Sequence, residues 1–155
     1  VLNFLDFNMT RQLHAHKARL RKAGYKIVQF LPYVYAADYL PLTGNTTVQV
    51  PVTIDQDSDF LLCQQTFAAF TTAGAAQSAP NILIRYTADA VARQLMSQAV
   101  HLANIFGTGE RPYIWYQPLE LPAKSNLHVE ADSETATDLH LRLSFIGVKV
   151  YKRAS

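Results

Sequence analysis

Leu139-His140-Leu141-Arg142-Leu143-Ser144-Phe145-Ile146-Gly147-Val148-Lys149-Val150-Tyr151 decides the fold class. Apolar and other residues alternate with period two along most of it, which is the pattern of a half-buried β-strand. Gly147, inside so strong a strand, predicts a bulge or the close approach of another backbone. Working outward, residues 126–131 alternate in the same way, and 81–87 read as a further strand. Residues 112–116 and 119–121 read as two short strands, cut by Pro118 and Pro122. Residues 98–104 alternate again, with Ala99 and His101 opposite Val100 and Leu102.

Towards the N-terminus, residues 46–54 place Val48, Val50, Val52 and Ile54 on one face. Pro51 then points outward, which puts this strand near an edge or a bulge. Residues 25–31 form a β-branched and aromatic run that Pro32 interrupts and Tyr33-Val34-Tyr35 continues. Residues 60–72 fit a helix or a strand, their composition favouring a strand, and 88–96 fit either. Asp55-Gln56-Asp57-Ser58-Asp59 reads as a polar turn. About eight strands separated by turn signals make an antiparallel β-sandwich. The long crossovers of a parallel α/β enzyme fold are absent.

Residues 9–24 break the pattern. They hold helix formers, no proline, and Gly24 at a C-cap position. Asn8 or Thr10 is placed to cap the start. Met9, Leu13, Leu20 and Ala23 make a thin apolar stripe, so the helix is expected at the domain edge or as a projecting arm. Arg11, Lys17, Arg19, Arg21, Lys22 and Lys26 cluster here, and no acidic residue lies between Asp6 and Asp38. Such asymmetry points to a basic arm with an acidic partner, against the plainer reading of a solvated helix face. The cluster lacks interleaved aromatics for stacking on bases, so nucleic acid is not the expected partner. The reading is thus residues 1–24 as a basic arm or helix and 25–155 as one sandwich domain.

With 155 residues, the chain buries roughly 68–70% of its unfolded surface and needs no metal or disulfide staple. Charged residues make up only 17%, so close contact with neighbours requires little ion desolvation. The net charge of +2 carries no strong overall field. The single cysteine, Cys63, lies in an apolar run and reads as a small buried hydrophobe. No charged leader with a long apolar stretch opens the chain, and no run is long enough to span a membrane. Synthesis in a reducing cytoplasm is therefore expected.

Candidate chemistry is sparse. His14 and His16, two apart, point to different faces of a helix, which suits one metal ion poorly; both read as surface histidines. His101, His128 and His140 alternate with apolar residues and are expected on the solvent side. Asp55, Asp57 and Asp59 resemble the opening of a calcium loop, but Phe60 and Thr66 stand where such a loop needs Gly and Glu. Gly107-Thr108-Gly109 lacks the third glycine of a dinucleotide loop and reads as a turn before Pro112. Glu130 and Asp132 share a strand face and read as solvated surface. Tyr33, Tyr35, Tyr39, Tyr113, Trp115 and Tyr116 would serve as a sugar platform or, more commonly, as core and interface. The expectation is no enzyme, no catalytic set, no metal and no cofactor.

From Ala99 onward the chain resembles a family of tailed-bacteriophage virion proteins. The carrying residues are Ala103-Asn104-Ile105-Phe106-Gly107-Thr108, then Arg111-Pro112-Tyr113-Ile114, then Leu119-Glu120-Leu121-Pro122-Ala123-Lys124-Ser125. Leu127-His128-Val129-Glu130 and the ending Leu143-Ser144-Phe145-Ile146-Gly147-Val148-Lys149-Val150-Tyr151 complete the likeness, which spans about the last third of the chain. Gly107, Gly109 and Pro112 are turn residues in this pattern. The resemblance implies a jelly-roll-like sandwich on a phage particle, with capsid decoration or cementing as the leading role. It further implies a dimer or trimer on the capsid surface, contacting the major capsid protein or other virion proteins through Arg11, Lys17, Arg19, Arg21 and Lys22. The alternatives are a tail, neck or fibre-attachment component, and a carbohydrate-binding sandwich.

Overall fold

The computed structural model describes residues 7–89 and 93–154. The opening segment 1–6, residues 90–92 of the undecided stretch and Ser155 lie outside the described residues. The elements in chain order are α1 (Phe7–Lys22), β1 (Tyr25–Leu42), β2 (Thr47–Thr53), β3 (Asp59–Thr71) and β4 (Ile82–Ala88). They continue with β5 (Arg93–Gln94), β6 (Val100–His101), α2 (Leu102–Ile105), β7 (Tyr113–Leu121), β8 (Asn126–Ser133) and β9 (Leu139–Ala154).

The strands form two antiparallel sheets. The first has the order β1-β9-β3-β7, and the second β2-β8-β4-β5, with β6 also pairing β4. The pairings are nested: β1 with β9, β2 with β8, β3 with β7, and β4 with the two short strands that follow it. Counting β5 and β6 as one strand position, this is the eight-strand, two-sheet arrangement of a jelly roll. The all-β antiparallel sandwich with an N-terminal helix, expected from the alternation, is the fold observed.

The core is where the inner faces meet. β4 and β8 alternate strictly, sending Ile82, Ile84, Tyr86 and Ala88 inward beside Leu127, Val129 and Ala131. Opposite them lie Phe60, Leu62, Phe67, Leu141, Leu143 and Phe145 of the first sheet. A register shift at Cys63 does something the alternation alone cannot. It moves the inward set of β3 from Phe60 and Leu62 to Gln65, Phe67 and Ala69, because one extra residue flips the strand phase. Gly147 is required: a Cβ there would stand 2.0 Å from the Leu61 carbonyl oxygen. The predicted close approach of a second backbone is therefore real.

Some expectations need correction. Pro32 does not interrupt β1, which runs unbroken through it. β1 pairs with β9 alone and is an edge strand, so a missing N–H is tolerated. Pro51 likewise sits in β2, an edge strand as expected. β2 splays from the core at its start, leaving Val48 exposed while Val52 and Ile54 are buried. The undecided stretch 60–72 is strand as far as Thr71, where β3 ends in a turn. The two short strands expected in 112–121 are one, β7, with an unpaired excursion: Leu62 faces Leu119 and Gln64 faces Ile114, so 115–118 have no partner in β3. Pro118 falls in that excursion, where no ladder bond is lost. Only Val100 and His101 of the expected 98–104 strand are extended. Leu102 and Phe106, four apart, both face the core from a single helical turn, because the chain here crosses back to the first sheet.

Candidate interaction surface

Helix α1 lies against the outer face of the first sheet. Met9, Leu13, His16 and Leu20 are buried, with spacings of four, three and four that make one helical stripe. Leu13 and Leu20 cluster with Leu61, Val148 and Val150, and Phe30 packs beside them. Ala23 is exposed. The helix is docked and does not project as an arm. Asn8 and Thr10 both fall within the helix as described, Phe7–Lys22. At its other end, Gly24 takes φ 86° and its N–H donates to the Arg21 carbonyl at 3.0 Å, as a left-handed C-cap requires. Arg19, Arg21 and Lys22 occupy the last turn, where cations oppose the negative end of the helix dipole.

Docking turns the basic residues outward. Arg11, Arg19, Arg21 and Lys22 are exposed, and Lys17 lies 6.0 Å over the Phe30 ring. The β1–β9 register adds charge from the far end of the chain, placing Lys26 opposite Arg153. Among the described residues, no carboxylate forms an ion pair with any of these seven cations. The neighbouring lysines differ. Lys149 is paired with Asp55, and Lys152 with Asp59. The bond to Lys149 holds the Asp55 carboxyl below its ordinary range. The bond to Asp59 raises the Lys152 ammonium. Burial pulls Lys149 down, but the Asp55 bond and nearby oxygens outweigh it, leaving the ammonium above its ordinary value. Asp55 and Asp59 are thus spent on these two lysines, Glu120 is the carboxylate left beside α1 among the described residues, and the described α1 surface stays net positive.

His16 is the correction among the histidines. His14 is exposed as expected, but His16 is 5% exposed, under the helix. Its Nδ1 lies 3.2 Å from Arg19 Nη2 and 4.0 Å from Glu120 Oε2, while its Nε2 is buried without a hydrogen-bond partner. Burial pushes the imidazole below its ordinary value. The helical spacing Met9-Leu13-His16-Leu20 was a readable signal, and counting only apolar residues missed it.

The remaining candidates do not converge. Asp55, Asp57 and Asp59 diverge: two reach lysines and Asp57 accepts from the Ser58 hydroxyl at 3.1 Å. No group of three metal-capable side chains occurs among the described residues. Burial pushes the Cys63 thiol up to about 12, which suits a packed hydrophobe. His101, His128 and His140 are half-buried on separate strands; His128 meets Asp89 at 2.9 Å, and Asn126 donates to the same carboxylate at 3.3 Å. Glu130 and Asp132 are half-buried on the outward face of β8, and Asp132 accepts from the Thr47 hydroxyl at 3.0 Å.

The aromatic residues split in two, because β1 and β7 are opposite edges of the first sheet. Tyr33 and Tyr35 meet edge to face at 4.8 Å, while Tyr39 is buried and donates to the Val129 carbonyl at 2.7 Å. On the other edge, Trp115 Nε1 donates to Gln65 Oε1 at 3.2 Å, and Tyr116 in the excursion is 91% exposed. Gln65 was not singled out by its sequence context. Fully buried, it also donates to Tyr86 Oη at 2.9 Å and to the Ile105 carbonyl, tying β4, α2 and β7 together. Tyr113 and Ile114 are exposed beside Tyr116, so this edge presents an apolar rim.

Of the turn residues, Gly107 is required, since a Cβ would lie 2.0 Å from the Arg111 carbonyl oxygen. Gly109 has open space around it, and Pro112 immediately precedes β7. No protein-family model, curated protein or solved structure matches this chain.

Proposed function

We propose that this chain is a virion structural protein of a tailed bacteriophage, which binds the outer capsid shell and cements or decorates it as an oligomer. The observation that carries this reading is the uncompensated basic face of α1, docked on a jelly-roll sandwich. Cations with no ion-pair partner among the described residues favour an acidic protein surface, and holding them on a packed helix lowers the entropy lost on contact. The likeness of the last third to phage virion proteins supplies the particle, and the major capsid protein or another virion protein the partner. The apolar rim of β7 around Tyr116 suits a protein interface, where exposed tyrosine contributes large area at little entropic cost. On a repeating lattice, modest contacts made by each copy add up to high avidity.

The test is binding to the particle. The triple variant Arg19→Glu, Arg21→Glu, Lys22→Glu is expected to fold and to lose occupancy, and wild-type binding is expected to fall as salt rises. Unchanged occupancy of the triple variant would remove the basic face from the argument. Cryo-electron microscopy of the particle locates the protein: density bridging shell subunits fits cementing, and density at the neck or tail replaces it with an adaptor role.

A further inference from the structure

We propose that His16 is a proton-operated latch, which holds α1 on the outer face of the first sheet at neutral pH and loosens it in mild acid. The argument starts from one atom. Arginine has no acceptor, so the 3.2 Å contact between Arg19 Nη2 and His16 Nδ1 makes Nδ1 the acceptor. The ring is then neutral, with its proton on the buried Nε2. Protonating Nδ1 would set donor against donor, so the Arg19 bond has to break before the imidazole can charge.

The surroundings do not welcome that charge. Arg19 of α1 and Lys152 of β9 oppose it, while Glu120 of β7 and Asp59 of β3 favour it. β1 contributes Phe30 to the same seam and no charge that acts on the ring. The cost of burying an imidazolium is the largest influence, and it outweighs the pull of the two carboxylates left over after the two cations. Asp59 is already engaged by Lys152 and by the Ala123 N–H at 3.0 Å, so it is not free to turn to His16. Glu120 is 45% exposed and is the carboxylate able to follow a released ring.

The route for a proton is present. A cleft of about 150 Å³ between α1 and the β7 excursion is lined by Gln12, His16, Arg19, Gln117 and Glu120. The seam that holds the helix is thin. Among the described side chains, those of the helix buried there besides His16 are Met9, Leu13 and Leu20, so destabilising His16 acts on a contact made by few positions. Imidazole titrates in the range where mild acidification works as a switch. Release would expose Leu61, Val148 and Val150 and free the basic helix to reorient.

The test uses the full chain and no particle, so its outcome is independent of the proposed capsid role. Hydrogen–deuterium exchange of the α1 amides is measured at about pH 7.5 and about pH 5, corrected for intrinsic chemistry. Protection of α1 is expected to fall roughly tenfold in acid while that of β3 and β9 holds. His16→Leu is expected to keep α1 protected at both values, and His128→Gln to leave the wild-type response intact. Equal wild-type protection at both values overturns the latch, as does an acid response that survives in His16→Leu. Nitrogen-15 shifts of the wild-type ring give a second reading: a neutral ring protonated at Nε2 is expected near neutral pH, and an imidazolium there overturns the proposal.

Discussion

The two faces of the first sheet are packed by different rules. Its inner face meets the second sheet in an apolar core that includes Phe60, Leu62, Leu141, Leu143 and Phe145, all at most 1% exposed. Its outer face meets α1 through Leu61, Val148 and Val150, with an imidazole among the helical contacts. The inner interface joins segments far apart in the chain; burial raises the hydroxyls of its Tyr39 and Tyr86, which keeps them neutral, and Lys149 and Asp55 pair at its lip. The outer interface adds one helix to a sheet already built, and its buried imidazole takes up a proton only below the ordinary histidine value. Stability and adjustability are therefore separated: the inner face specifies the fold, and the outer face sets how the basic helix is presented.

The sharpest way to break that contrast is to attack the inner face. Phe145→Ala is expected to cost about 3–5 kcal/mol, read as a lowered denaturation midpoint for the entire chain. A smaller effect confined to α1 would mean that the sandwich does not unfold as one unit. Gly147→Ala comes next. Its methyl meets backbone, not a mobile side chain, so a loss of about 1–3 kcal/mol is expected and should also shift β3 amide resonances. Leu20→Ala tests the outer face. It is expected to cost about 2 kcal/mol, and the loss should appear as faster exchange in α1 with β3 and β9 unchanged.

Acid and alkali separate the faces differently. With the His16 value lowered in the folded state, the unfolded chain takes up the proton first. The seam's stability is whole above the ordinary value of 6.5 and is lost as pH falls through the lowered one. The Lys149–Asp55 pair at the sandwich lip behaves otherwise. Asp55, held below 3.8, keeps its contribution until the pH falls through that lowered value; Lys149, held above 10.5, loses its own only as pH rises through the raised value. Thermal melts across pH should show α1 loosening first and the lip holding well beyond it on both sides. The smallest effect is expected from Arg11→Glu, within about 0.5 kcal/mol of wild type in denaturant, since this exposed side chain pairs with no carboxylate among the described residues.

Much of this architecture was legible in the sequence. Alternation in 139–151, 126–131 and 81–87 identified strands, and Pro51 marked an edge. Gly147 announced a close backbone contact, and Gly24 ended the helix where the break in pattern said it would. Reading failed where local signals compete with tertiary demand. The Cys63 bulge reverses a strand's phase with no residue that advertises it. Pro32 looked like a break because the sequence does not tell which side of a strand is unpaired. The 98–104 stretch alternates yet becomes a helical turn, because Leu102 and Phe106 must both reach the core. The aromatic residues looked like one platform and lie on opposite edges.

The sequence by itself determined the element types, the sandwich class and the basic character of the helix, because those follow from side-chain period and composition over short windows. That the helix is docked, that His16 is beneath it, and that Arg153 joins the N-terminal cations was settled by contacts no short window contains. The reason is physical: burial and charge pairing are relations between residues far apart in the chain. Here the β1–β9 pairing sets residues 25–42 against 139–154, which brings Arg153 to Lys26, and packing on Leu61, Val148 and Val150 seats the helix.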